Sequence, residues 1–237
     1  MNKVIIILLC FLAANCCMAQ KKQETVAITF EFVCKEDSNV LNNKLTNNFG
    51  ETYTITKLKY YISHVNFSSR LKQKNDAAVY LIDASKKNRI SISLPDENTT
   101  GFSFLLGMDS LLNCSGAQSG ALDPLNDMFW TWNNGYIVFK LEGTSPSSTA
   151  DLQRIEHHIG GYKGDNKTMR EVFLPINNKS WLKTKTLTVQ LDVNKYWQNT
   201  NNILIKETPL ITLPSAAARN AADQVAASFS IKENELY

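Results

Sequence analysis

The run TKTLTVQLDV, Thr184 to Val193, decides the fold class. Leu187, Val189, Leu191 and Val193 fall on one side of an extended chain, and polar residues fall on the other. That is a strand with one buried face. VAITFEFV (Val26–Val33) and RISISL (Arg89–Leu94) repeat the alternation. YTITKLKYYISHVNF (Tyr53–Phe67) is rich in β-branched and aromatic residues and is long enough for one bent strand or two short ones. AAVYLIDAS (Ala77–Ser85), Tyr136–Leu141 and Arg170–Ile176 read as further strands, while KEDSNVLNNKLTNNFGE, between Val26–Val33 and Tyr53–Phe67, reads as a turn-rich loop. KYWQNT suggests a helical turn. SAAARNAADQVAASF predicts a C-terminal helix capped by Ser215 and packed through Val225 and Phe229. Many short strands separated by turn signals predict an all-β chain: one domain, an antiparallel β-sandwich with a few short helices.

Composition narrows the class of function. The chain has 237 residues, 43% of them hydrophobic and 20% charged, which suits a packed globular domain. A formal net charge of +3 with no sustained basic block gives no reason to expect nucleic acid as a partner. At the N-terminus, Lys3, an apolar run from Val4 to Ala14 and the small residue Ala19 have the order of a secretory signal peptide. The run is too short to span a bilayer. We expect cleavage after Ala19, so that residues 1–19 leave and residues 20–237 form the mature domain in the periplasm or outside the cell. The rival reading is a lipid anchor on Cys16 or Cys17, which Asn15 before Cys16 disfavours. Cys34 and Cys114 remain after cleavage; they form a disulfide, stay as free thiols, or supply a soft metal ligand.

Two stretches stand apart from this scaffold. GALDPLNDMFWTWNNGYIVFKLEG (Gly120–Gly143) carries Trp130 and Trp132 one residue apart, and HHIGGY (His157–Tyr162) carries two of the three histidines beside a Gly-Gly pair. No GxSxG elbow, phosphate-binding glycine loop or HExxH helix occurs. Asp123 and Glu142 read as turn and structural groups, so no catalytic constellation emerges. Histidines beside flexible glycines suit a transition metal. On a strand His157 and His158 point to opposite faces, so only one of them faces a given site. His64, inside a strand, reads as structural and Met128 as a gap-filling residue, while a thioether ligand from Met128 or Met108 has no motif behind it. The tryptophans read either as core packing or as an exposed stacking platform.

The run GMDSLLNCSGAQSGALDPLNDMFWTWNNGYIVFKLEGTSP, followed by EHHIGGY, resembles the MbnP-like family of periplasmic copper-binding proteins. LKYYISHVNF resembles that family's KYYIS-type strand, and AADQVAASF its C-terminal helix. The resemblance implies an exported β-sandwich that binds copper, with Cu(I) favoured, and no catalytic turnover. In characterised relatives a tryptophan is oxidised to kynurenine and joins histidines around the metal. In some of them a dihaem, MauG-like peroxidase carries out that oxidation. Carried over, Trp130 and Trp132 are the modification candidates, Trp130 preferred, and both are candidate ligands in modified form. His158 is the leading histidine, His157 the second and His64 the third. A copper-linked outer-membrane receptor is the further partner this reading raises. Some relatives place a histidine two residues after the modified tryptophan, where this chain has Trp132. The competing reading is a module that presents Trp130, Trp132 and Tyr136 to a glycan or a protein.

Overall fold

The computed structural model describes residues 24–67, 78–95, 97–131 and 134–232. The expected signal peptide and Trp132 lie outside the described residues. Among the described residues thirteen strands follow in chain order: β1 (Thr25–Val33), β2 (Lys44–Thr46), β3 (Thr52–Asn66), β4 (Tyr80–Asp83), β5 (Asn88–Ser93), β6 (Gly101–Leu106), β7 (Phe129–Thr131), β8 (Gly135–Thr144), β9 (Arg154–Gly160), β10 (Arg170–Pro175), β11 (Thr186–Asp192), β12 (Leu210–Ile211) and β13 (Phe229–Ile231). Helices α1 (Ser110–Cys114), α2 (Ser180–Thr184), α3 (Val193–Trp197) and α4 (Ala216–Ala227) are interspersed. None of the described helices is long and apolar enough to cross a membrane.

The strands form two sheets. One has the order β13-β11-β1-β5; the other runs β10-β6-β3-β8-β9-β12, with β2 and β4 beside β3 and β7 beside β8. The expected sandwich is present, and most neighbouring strands are antiparallel. Two pairings are parallel, however: β1 with β11 and β12 with β9. Parallel neighbours need long crossovers, and here β1 and β11 are far apart in the chain, a relation that alternation within one strand does not reveal.

The main core lies between the sheets. Val26, Ile28, Phe30 and Phe32 of β1 and Leu187, Val189 and Leu191 of β11 face Tyr60, Ile62, Phe102, Phe104 and Phe139 of the larger sheet. Phe229 ties the layers together, with its ring edge-on to Phe104 at 5.1 Å and to Tyr60 at 5.3 Å. Such pairs add to the area term that dominates the core. Helix α4 closes one side through Ala218, Ala221, Ala222 and Val225, and the Ser215 hydroxyl accepts the Ala218 N–H as predicted for its cap.

A second, smaller apolar cluster sits on the outer face of the larger sheet. Tyr61, Met108, Leu122, Met128, Tyr136 and Ile137 form it, with Phe129 and Trp130 packed against it. The chain from Met108 to Thr131 covers that face through α1, two short 3-10 turns and β7. This cover carries the tryptophan motif.

Candidate functional site

The cover is pinned from below. The Tyr61 hydroxyl donates to the Ala121 carbonyl at 2.8 Å. The Tyr136 hydroxyl lies 2.8 Å from the carbonyl of Leu122 and 2.9 Å from that of Gly116. Tyr136 is fully buried, so it belongs to the cluster and not to an exposed aromatic platform. Met128 is a fully buried gap-filler, as its chemistry predicted, and Met108 is fully buried in the same cluster. Asp123 caps a short turn by accepting the Leu125 N–H, also as predicted.

Strand β7 pairs with the start of β8 and lowers Trp130 onto β9. The ring lies against the backbone of Gly160. A methyl group at that glycine would stand 2.8 Å from Cζ3 and 3.1 Å from Cη2 of the indole, and 2.7 Å from the Tyr136 carbonyl oxygen. Those separations are too short for any side chain, so the tryptophan seat requires glycine there. Trp130 is half-buried as a result. Two residues earlier on the same face of β9 is His158, which is paired across to Lys140 of β8.

The three histidines have distinct surroundings. His157 is fully buried on the core side of β9. Its Nε2–H donates to the Thr208 carbonyl at 2.8 Å, and the Tyr196 hydroxyl donates to Nδ1 at 2.6 Å. Burial pushes its pKa down to about 4, so the ring is neutral and both nitrogens are occupied. His157, expected as the second ligand, therefore has no lone pair to offer while these bonds stand. His158 lies half-buried on the opposite face, as the strand alternation required. Its Nε2 is 2.9 Å from Oε1 of Glu142. His64 is buried at an irregularity in β3, with a left-handed backbone at φ 51°. Its Nε2 is 2.7 Å from Oδ2 of Asp109, and its buried Nδ1 has no hydrogen-bond partner. A non-glycine residue in that conformation, with an orphaned nitrogen, marks a place where the fold holds a group against local preference.

A charged network surrounds His158. Lys140, almost wholly buried, reaches Oδ2 of Asp127 at 3.0 Å and Oε1 of Glu142 at 3.4 Å. Lys57 bridges the same two carboxylates at 2.9 and 3.0 Å. The hydrogen bond with His158, together with Lys57 and Lys140, outweighs burial and holds the Glu142 carboxyl at about 2. Burial works against ionisation of Asp127, but the two lysines still keep its carboxyl below the ordinary range. Asp127 lies three residues before Trp130, so the buried Lys140 ammonium of β8 links the segment that leads into the tryptophan strand to Glu142, the carboxylate that His158 meets. Gly160 was singled out from sequence as a flexible neighbour of the histidines, whereas Asp109, Asp127 and Lys140 were not. Only the short-range motif KLEG hints at one of them.

His64 is linked to the same end of β9 through its partner. Ser110, next to Asp109, donates to the Tyr162 carbonyl at 3.4 Å, two residues beyond Gly160. Among the described residues no three His, Cys, Asp or Glu side chains converge as a metal cluster. Cys34 is buried beside Tyr53 and Cys114 is exposed; both are free, so the disulfide alternative does not hold.

The family model MbnP matches residues 23–214, a span that includes both histidine strands, the cover and the tryptophan motif. The chain belongs to the MbnP family. The fold agrees: the structure is similar to MbnP from Methylosinus trichosporium, with a TM-score of 0.62 at 16% sequence identity over 89% of this chain and 98% of that one. No curated protein matches the chain. Within the MbnP span lie Trp130, His158 and His64, as well as the carboxylates that hold the two histidines.

Proposed function

We propose that this MbnP-family protein is an exported Cu(I)-binding protein that stores, scavenges or delivers the ion. The observation that carries the reading is Trp130 seated on Gly160, on the sheet face that bears His158. The donors fit a soft ion. His158 and His64 each have Nε2 directed at a carboxylate, which leaves the lone pair of a neutral ring on Nδ1. In His64 that atom is buried and without a partner. Imidazole suits copper, and Cu(I) accepts few ligands. Oxidative opening of the Trp130 indole to kynurenine would add an aryl amine and a ketone on the sheet face that bears His158. That step requires a peroxidase of the dihaem type as partner. His158 remains the leading histidine, and His64 moves ahead of His157.

The test is a Cu(I) competition titration of the protein isolated from its native export compartment, with peptide mass mapping across Trp130 and Trp132. Tight one-to-one binding that weakens sharply in His158→Ala is the expected result. Absence of binding by a sample whose tryptophan is modified would overturn the reading. Mapping also decides between the two tryptophans, and an N-terminus at Gln20 would establish the signal peptide.

A further inference from the structure

The link from β4 to β5 crosses from the larger sheet to the smaller one and reads Asp83-Ala84-Ser85-Lys86-Lys87-Asn88-Arg89. Side chains lock its backbone. Asn88 accepts the Asp83 N–H on Oδ1 and donates through Nδ2 to the carbonyls of Asp83 and Lys86, at 2.9, 2.9 and 3.0 Å. The Ser85 N–H and hydroxyl both donate to Oδ1 of Asp83, at 2.9 and 2.7 Å. Lys86, Lys87 and Arg89 stand exposed on this fixed turn, and all three line one cavity of about 340 Å³. Among the described residues none of these three side chains has an ion pair or a hydrogen bond.

Gly120, Ala121 and Asn126 of the cover form the opposite wall, and its backbone acceptors are already taken. The Gly120 carbonyl accepts from the Asp123 N–H and from Nδ2 of Asn126. The Ala121 carbonyl accepts from the Tyr61 hydroxyl and from the same Nδ2. The Asn126 carbonyl accepts the Lys59 ammonium at 3.1 Å. One carboxylate, Asp83, lines the cavity, but it is buried and its charge is answered within the fold. Ser85 holds one of its oxygens, and Lys59 stands 3.6 Å from the other. The cavity is therefore a concave place where cations have no counter-charge. Tyr80 and Ile90 add apolar surface to its lining.

We propose that this cavity binds the phosphate monoester group of a sugar-sized ligand through Lys86, Lys87 and Arg89. The Arg89 guanidinium offers the planar fork that pairs with phosphate oxygens, and the two ammonium groups add compact charges. A carboxylate would bring one negative charge to three cations, whereas a phosphate monoester brings nearly two and matches them better. Cavities that hold small ligands start at about 300 Å³, so this one has room for a sugar ring beside the phosphate. The group can arrive on a free sugar phosphate or on a lipid headgroup. None of these residues belongs to the tryptophan and histidine site, so the proposal stands apart from the copper reading.

The test is a calorimetric titration of the mature protein with glucose 1-phosphate at low and at physiological ionic strength. Saturable one-to-one binding that weakens with salt is expected, and glucose itself should not bind. Arg89→Gln and the double variant Lys86→Gln/Lys87→Gln are each expected to lose about tenfold or more in affinity. Lys44→Gln, at an exposed lysine outside the cavity, should lose nothing. A second measurement needs no variant: amide chemical shifts of the wild type should move in Ser85–Ile90 and Gly120–Asn126. Vesicles of phosphatidylcholine with and without phosphatidic acid separate the two sources. Retention by phosphatidic acid that is lost in Arg89→Gln, without binding of the free sugar phosphate, assigns a lipid headgroup. Failure to bind either probe overturns the proposal. So does an equal loss in Lys44→Gln, unchanged affinity in the folded cavity variants, or shifts confined to other parts of the protein.

Discussion

His157 makes stability depend on pH, and the sign follows from its burial. The folded ring has a pKa of about 4, whereas the unfolded ring has the ordinary value near 6.5. Below about pH 6.5 the unfolded chain gains a proton that the folded chain refuses, so stability falls as pH drops through that window and levels off below about 4. The loss from this residue is on the order of 3 kcal/mol. Denaturant unfolding of the wild type and His157→Gln between pH 7 and 4 should show a shallower slope in the variant, although its stability at pH 7 is lower. Gly160 is the other residue whose role is local. Gly160→Ala forces Trp130 off its seat and is expected to cost about 1–3 kcal/mol, with a shift in indole emission. Sequence alternation placed His157 and His158 on opposite faces. It did not show which face was the core, because Tyr196 and Thr208, which occupy the His157 nitrogens, are distant in the chain.

At the level of elements, most strands announced themselves, and those that did not had reasons. β6 lacks alternation because nearly all of GFSFLL is buried, so a period of two has nothing to record. β7 is three residues long and is held by its partner β8, not by its own propensity. Helix α4 was legible at its cap, and Ser215→Ala should lower stability by about 1 kcal/mol in thermal or denaturant melts. Lys140 is the opposite case, since a lysine in a strand reads as outward and solvated. It is instead almost wholly buried between Asp127 and Glu142. Lys140→Met should cost about 2 kcal/mol, less than a fully buried pair, because Asp127 stays partly exposed and Lys57 still bridges both carboxylates. Far-UV spectra of that variant should stay β-type while the Trp130 environment changes.

For the whole molecule, the two cysteines give a direct check on the architecture. With Cys34 buried and Cys114 exposed, a thiol reagent should modify Cys114 rapidly in the folded protein and reach Cys34 only after denaturation. Reductant should leave the melting temperature unchanged. The parallel pairing of β1 with β11 stayed hidden in the sequence, since it joins the beginning of the domain to a strand more than 150 residues later. The two-layered apolar organisation has a dynamic consequence. The cover from Met108 to Thr131 packs on the outside of a sandwich whose own interior is already complete without it. It can therefore lift as a separate cooperative unit, opening the smaller cluster at a fraction of the free energy of global unfolding. Amide exchange in β7 and α1 should accordingly outpace exchange in β1 and β11. An oxidising enzyme would then reach the Trp130 indole in a protein that is still folded.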